Sequence, residues 1–217
     1  MNRFPHARVA AGAAILASLL AIAPASAAAP LAHVRGTVAG TSATGIDVQT
    51  ASGVVHLAVV AKTGFIAVLP STRAAIKPSV FVGIASVGDA PGARAREVVV
   101  FPDAMRGMGE GHYGWDLAGG GNKMTNGTVA APKSMMTNGT VSHAMGASGP
   151  MTITVTYKGG SNRITVPANA PVVTFVPGTA ALVKKGAHVV VFATETGGKP
   201  TAAAAVLVGK DGLTPPM

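Results

Sequence analysis

Residues 46–59 read IDVQTASGVVHLAV, and residues 153–166 read ITVTYKGGSNRITV. Both stretches alternate apolar and polar residues, break at a glycine (Gly53, Gly160) and alternate again. That is the pattern of two strands with one buried face, joined by a tight turn. The offset of 107 residues holds well beyond the hairpin: residues 46–101 fall on residues 153–208 without a gap. Twelve of those 56 positions are identical, among them Ile46/Ile153, Val48/Val155, Pro70/Pro177, Thr72/Thr179, Lys77/Lys184, Val82/Val189 and Val99/Val206. Turn markers stay in phase with the alternation throughout, so one small module is used twice.

Working outward, the first copy predicts strands over 34–38, 45–49, 55–59, 65–69, 80–87 and 96–101, with a short helical turn after Pro70. The second predicts 139–141, 151–157, 163–166, 172–176, 187–193 and 202–208, with its helical turn after Pro177. The opening strands match as Gly36-Thr37-Val38 with Gly139-Thr140-Val141, which needs a loop difference of four residues. Short antiparallel strands in so small a unit close on themselves, because closure removes exposed edges. The expected fold is therefore all-β: two tandem small OB-like barrels of five to six strands, joined by a Gly/Met-rich linker. An SH3-like roll is the competing topology.

The N-terminus has the composition of a secretory signal. Arg3, His6 and Arg8 precede a 15-residue apolar run from Val9 to Ala23, and Ala25-Ser26-Ala27 offers a small-x-small cleavage site. The run is shorter than the roughly 20 residues of a membrane helix, so no stable span is expected after cleavage. The expected organisation is a signal peptide over 1–27, barrels over 28–101 and 136–210, a linker over 102–135 and a tail over 211–217. Cleavage would lower the net charge from +9 to +7 by removing Arg3 and Arg8. Export to the periplasm or beyond argues against nucleic acid as the partner of this basic chain, and for an envelope protein or glycan. The absence of cysteine excludes disulfides, thiolate metal sites and thiol nucleophiles.

The linker also holds a small repeat of its own. Met124-Thr125-Asn126-Gly127-Thr128-Val129 recurs as Met136-Thr137-Asn138-Gly139-Thr140-Val141, and the second occurrence is the expected opening strand of the second barrel. With an opening Gly-x-Val strand, a strand–Gly–strand hairpin and a Lys-containing turn before a Val-rich strand, the chain resembles a domain-of-unknown-function family of small OB-like barrels in exported bacterial proteins. The turn reads Ile76-Lys77-Pro78-Ser79 in one copy and Val183-Lys184-Lys185-Gly186 in the other, with Ser79 departing from the usual glycine. The resemblance implies a fold and an envelope location, not an activity.

The densest chemistry lies between Asp103 and Asp116. Thioether and imidazole groups suit copper(I), which makes Met105, Met108 and His112 candidate metal ligands, with His143 and Met145 as further donors. This set is faintly similar to that of the periplasmic copper-efflux chaperones, although theirs lies on barrel strands. Tyr113, Trp115 and Arg106 form a candidate interaction surface, and packing of the linker against the barrels is the plainer role for these aromatics and methionines. Asp103, Glu110 and Asp116 lack the spacing of a calcium loop, and no HExxH zinc motif is present. The nucleophile elbow, the Walker loop and the dinucleotide glycine pattern are also missing, so no enzyme is expected. The expected function is non-catalytic binding or scaffolding in the envelope without a cofactor, with copper-type metal binding as the alternative.

Overall fold

The chain's computed structural model describes residues 31–89, 91–131 and 149–216. Val-, Ile- and Thr-rich alternation yields twelve strands, and single 3-10 turns are the only helical elements among the described residues. The strands are β1 (Ala32–Thr41), β2 (Gly45–Thr50), β3 (Gly53–Pro70), β4 (Phe81–Val87), β5 (Ala93–Val100) and β6 (Gly111–Trp115). They continue with β7 (Asn122–Val129), β8 (Met151–Tyr157), β9 (Gly160–Val166), β10 (Val172–Pro177), β11 (His188–Thr196) and β12 (Lys199–Gly209). No helix among the described residues is long and apolar enough to cross a membrane.

Five strands close a barrel. β1 pairs with β2 and β2 with β3; β3 runs parallel to β12, β12 pairs with β11, and β11 returns to β1. Inside it Val34, Val38, Ile46, Val48, Leu57, Val189, Val191, Val206 and Val208 are buried together. Each such side chain contributes roughly 1.5–3 kcal/mol on leaving water. The remaining strands pair in the order β5, β4, β7, β8, β9, and Ala93 and Arg94 of β5 meet Ile164 and Thr165 of β9. They enclose a second cluster that includes Val82, Ile84, Val98, Val129, Ile153, Val155 and Ile164. β10 joins the two sets, antiparallel to β3 and parallel to β5.

The closed barrel does not coincide with the expected unit over 28–101, because β11 and β12 come from the second copy of the repeat and fill the places of β4 and β5. The reason lies in β3. The strands expected over 55–59 and 65–69 are one strand of 18 residues, roughly 60 Å long at about 3.3 Å per residue. It carries the chain out of its own barrel before the final hairpin forms. In the second copy the same stretch is interrupted between β9 and β10, where Pro167 and Pro171 stand.

The segment 102–135 is also more than a linker, since it supplies β6 and β7. The opening strand of the second copy is the first MTNGTV hexapeptide. Gly127 packs on the Thr156 carbonyl as Gly36 packs on that of Gln49, and Val129 meets Val155 as Val38 meets Val48. The hexapeptide expected in that role, residues 136–141, lies outside the described residues, as do the signal segment, His143 and Met145. A one-residue slip also enters the last strand. Val98 pairs with Ile84 as Val206 pairs with Val191, so Val206 is the counterpart of Val98, not of Val99. With these adjustments the copies are related by an approximate two-fold, which passes through the facing residues Val68 of β3 and Phe175 of β10.

Candidate functional site

Two outer sheet faces meet near that two-fold. On β5, β4 and β7 the cross-strand rows are Val99–Gly83–Asn126 and Glu97–Ala85–Met124. The equivalent rows on β12, β11 and β1 are Leu207–Val190–Arg35 and Ala205–Phe192–His33. Residues in one row lean to the same side of the sheet. Between the faces lies a cavity of about 260 Å³.

Gly83, Val99, Met124 and Asn126 line it from one face, and Phe192, Ala205 and Leu207 from the other. Phe175 lies at the two-fold itself and Ile66 beside it, with Phe101 packed edge-on against Phe175 at 5.3 Å. Gly83 keeps the hollow open. A Cβ there would lie 2.6 Å from Asn126 Oδ1 and 2.9 Å from Phe101 Cε2, so no other residue fits without moving the wall. Asn126 donates its amide N–H groups to the Gly109 carbonyl at 3.0 Å and the Tyr113 hydroxyl at 3.1 Å. Its Oδ1 is buried and has no partner among the described residues.

The cavity is roofed by a strap, residues 107–121, that has no counterpart among the described residues of the other half. β6 lies within the strap and pairs with β7. Met108, Gly109, Tyr113 and Trp115 face the cavity. Met108, Tyr113 and Leu31 are among the large apolar side chains that stay exposed, at 50%, 39% and 38%, so the mouth is apolar as well. Trp115 reaches the opposite face, where its ring lies 4.4 Å from His33 and 6.4 Å from Phe192. The Arg35 guanidinium sits 6.0 Å from the same ring. The indole Nε1–H is buried and finds no acceptor among the described residues.

Asp116 fastens the strap to β1. Arg35 donates to both of its carboxylate oxygens, at 2.8 and 3.1 Å, and His33 Nδ1 lies 2.8 Å from Oδ1. Burial acts to raise this carboxyl, but hydrogen bonds from Arg35 and His33, and then their charges, outweigh it and hold the group at about 2. Glu97 stands at the other extreme. Burial pushes its carboxyl up to about 8 against the attraction of Arg35 and Arg96, and its Oε1 has no partner among the described residues. Burial also raises the Tyr113 hydroxyl.

The three residues proposed for copper make different contacts, although the Met108 N–H donates to the Met105 carbonyl at 3.1 Å. Met105 packs on the apolar cluster around Phe101 and Phe175, and Met108 lines the cavity. His112 neighbours Tyr113 on β6 and so points to the other face; its Nδ1 lies 2.8 Å from the Thr125 hydroxyl and its ring stacks on Tyr157. Of the proposed surface residues, Tyr113 and Trp115 come together at the cavity, whereas Arg106 turns away to Asp103 at 2.8 Å and to the Ser79 carbonyl at 3.1 Å. Glu110 accepts the Lys158 backbone N–H at 3.0 Å. Among the described residues no three His, Asp or Glu side chains gather in a way that would hold a metal ion.

Sequence reasoning missed Gly83, Glu97, Met124 and Asn126, and the partnership of His33 and Arg35 with Asp116. A glycine in the middle of the Val-rich run 80–87 was the available signal. No protein-family model, curated protein or solved structure matches the chain.

Proposed function

We propose that the chain is an exported, non-catalytic binding protein that holds a small apolar molecule between its two sheet faces. Each half is read as an OB-like unit that has given its last two strands to the other. The order β1-β2-β3-β12-β11, with β3 and β12 parallel, supports that reading. The observation that carries the function is the apolar cavity. Between its faces this chain leaves about 260 Å³ open against aromatic and thioether groups, with exposed Met108, Tyr113 and Leu31 at the mouth. A dry cavity of about 150 Å³ accepts benzene, which scales to a guest of about ten non-hydrogen atoms here. That falls just short of the roughly 300–1,000 Å³ of drug-sized pockets. Naphthalene is a fitting probe.

The test is an NMR titration of the mature chain with naphthalene, read at the indole N–H of its single tryptophan. Saturable binding is expected, with its loss in Ala205→Leu, which fills the cavity from β12. Binding that survives in a folded Ala205→Leu variant would overturn the reading. A soft-metal role remains as a second reading, because Met108 and Met124 line the same cavity beside Trp115. It predicts that copper(I), added anaerobically, shifts the same indole signal and is lost in Met124→Leu.

A further inference from the structure

We propose that the strap over residues 107–121 is a hinged gate, latched to β1 by Asp116, through which the ligand enters and leaves the cavity. The inference rests on reading the cavity as the binding site. Four observations carry it. First, the strap is bounded by glycines held at positive φ: Gly107 (85°) and Gly109 (59°) before β6, and Gly119 (96°), Gly120 (66°) and Gly121 (63°) after it. Such runs change direction at little steric cost, which is what a hinge needs.

Second, the strap belongs to one face and closes on the other. Through β6 it is hydrogen-bonded to β7, whose partners are β4 and β8. Its free side reaches β1 by Asp116, with Trp115 against His33. Arg96 donates to the Ala118 carbonyl at 2.7 Å on the strap side of Gly119, a bond that is released when the strap lifts. Motion about the glycines would lift Tyr113 and Trp115 from the cavity by parting β6 from β7, while β7 stays with β4 and β8.

Third, the latch is a single polar cluster within reach of water. Side-chain exposure is 52% for Asp116 and 29% for Arg35, so water can take over its hydrogen bonds when the strap lifts. Fourth, closure leaves the Trp115 indole N–H buried with no acceptor among the described residues. That cost is relieved when water reaches the group in an open strap. The buried N–H therefore takes stability from the closed state, and an apolar guest that fills the space beneath Trp115 favours closure.

Two variants test the gate. Asp116→Asn removes the charge from the latch, and the Gly114→Cys/Lys123→Cys pair ties β6 to β7 at facing positions in a chain with no other cysteine. In Asp116→Asn the amides of residues 111–116 should exchange with deuterium at least tenfold faster than in the wild type, with the β4 and β5 amides unchanged. Naphthalene should associate and dissociate several-fold faster. The oxidised double-cysteine variant should bind at least tenfold more slowly, and a reductant should restore the rate. Equal association rates in the oxidised and reduced forms, or unchanged exchange at residues 111–116 in Asp116→Asn, would overturn the gate. Failure of the wild type to bind naphthalene would instead sink the cavity reading, and the exchange rates, which need no ligand, would still decide whether the strap opens.

Discussion

Across the approximate two-fold, β4, β5 and β7 present Gly83, Ala85, Glu97, Met124 and Asn126 where β11, β12 and β1 present Val190, Phe192, Ala205, His33 and Arg35. The inward residues of the same strands scarcely differ: Ile46, Val48, Leu57 and Val189 on one side, Ile153, Val155, Ile164 and Val82 on the other. Packing density tolerates little change inside a small barrel, whereas the outer faces were free to diverge. One face became the floor of a hollow, and the other became its far wall and the anchor for its cover. A duplicated fold that had kept both faces alike would have neither.

The comparison can be broken most severely where the copies agree. Gly36 and Gly127 hold equivalent places on the first strands, and a Cβ at either would collide with a backbone carbonyl, that of Gln49 or of Thr156. Gly36→Ala and Gly127→Ala should each cost at least about 3 kcal/mol, the range of severe core lesions. Chemical denaturation should show two losses of similar size. A loss at only one site would mean that the opening strands are not equivalent.

Where the faces differ, Glu97 gives the largest expected effect. Its carboxyl titrates at about 8 in the folded chain, against an ordinary value of 4.5. The folded state therefore binds the extra proton between those values, and stability falls as pH rises from about 4.5 through about 8. Glu97→Gln removes that proton linkage. It should leave stability near pH 4 little changed and raise it at pH 9 by on the order of 3 kcal/mol. Thermal melts across this range check the sign. Ala205, which occupies the matching place on the other face, predicts no such dependence from that side.

Much of this molecule was legible in the sequence because strands announce themselves by period two and turns by glycine and proline. The hairpin at Gly53 and Gly160, the turns after Pro70 and Pro177 and the all-β class follow from local chemistry. Partner choice does not. A Val-rich strand such as β11 carries no mark that sends it to β1 of the other copy, since either copy offers an equivalent edge. Nor could the sequence choose between two identical MTNGTV hexapeptides. Trp115 and Tyr113 were readable as candidates because aromatics are scarce here. Gly83 and Asn126 were hidden because a cavity floor is made by what is missing from a row of side chains.

The finest difference between the copies is one residue in the turn before the closing hairpin. Ser79 and Gly186 occupy equivalent places, and both adopt positive φ, 68° and 86°. The geometry is imposed by pairing, for the Ser79 N–H donates to the Val129 carbonyl as the Gly186 N–H donates to that of Val38. A left-handed backbone costs a residue with a Cβ roughly 1–2 kcal/mol. Glycine escapes that strain but loses about 0.4–1 kcal/mol through its freer unfolded chain. Ser79→Gly should thus stabilise by about 0.5–1 kcal/mol, and Gly186→Ser should destabilise by a similar amount. Ser79 is exposed, so no packing is lost in the exchange. Equal and opposite shifts in denaturation midpoint, with unchanged slopes, would place the two turns in one backbone state. A neutral Ser79→Gly would show that the Arg106 hydrogen bond to the Ser79 carbonyl holds the first turn by itself.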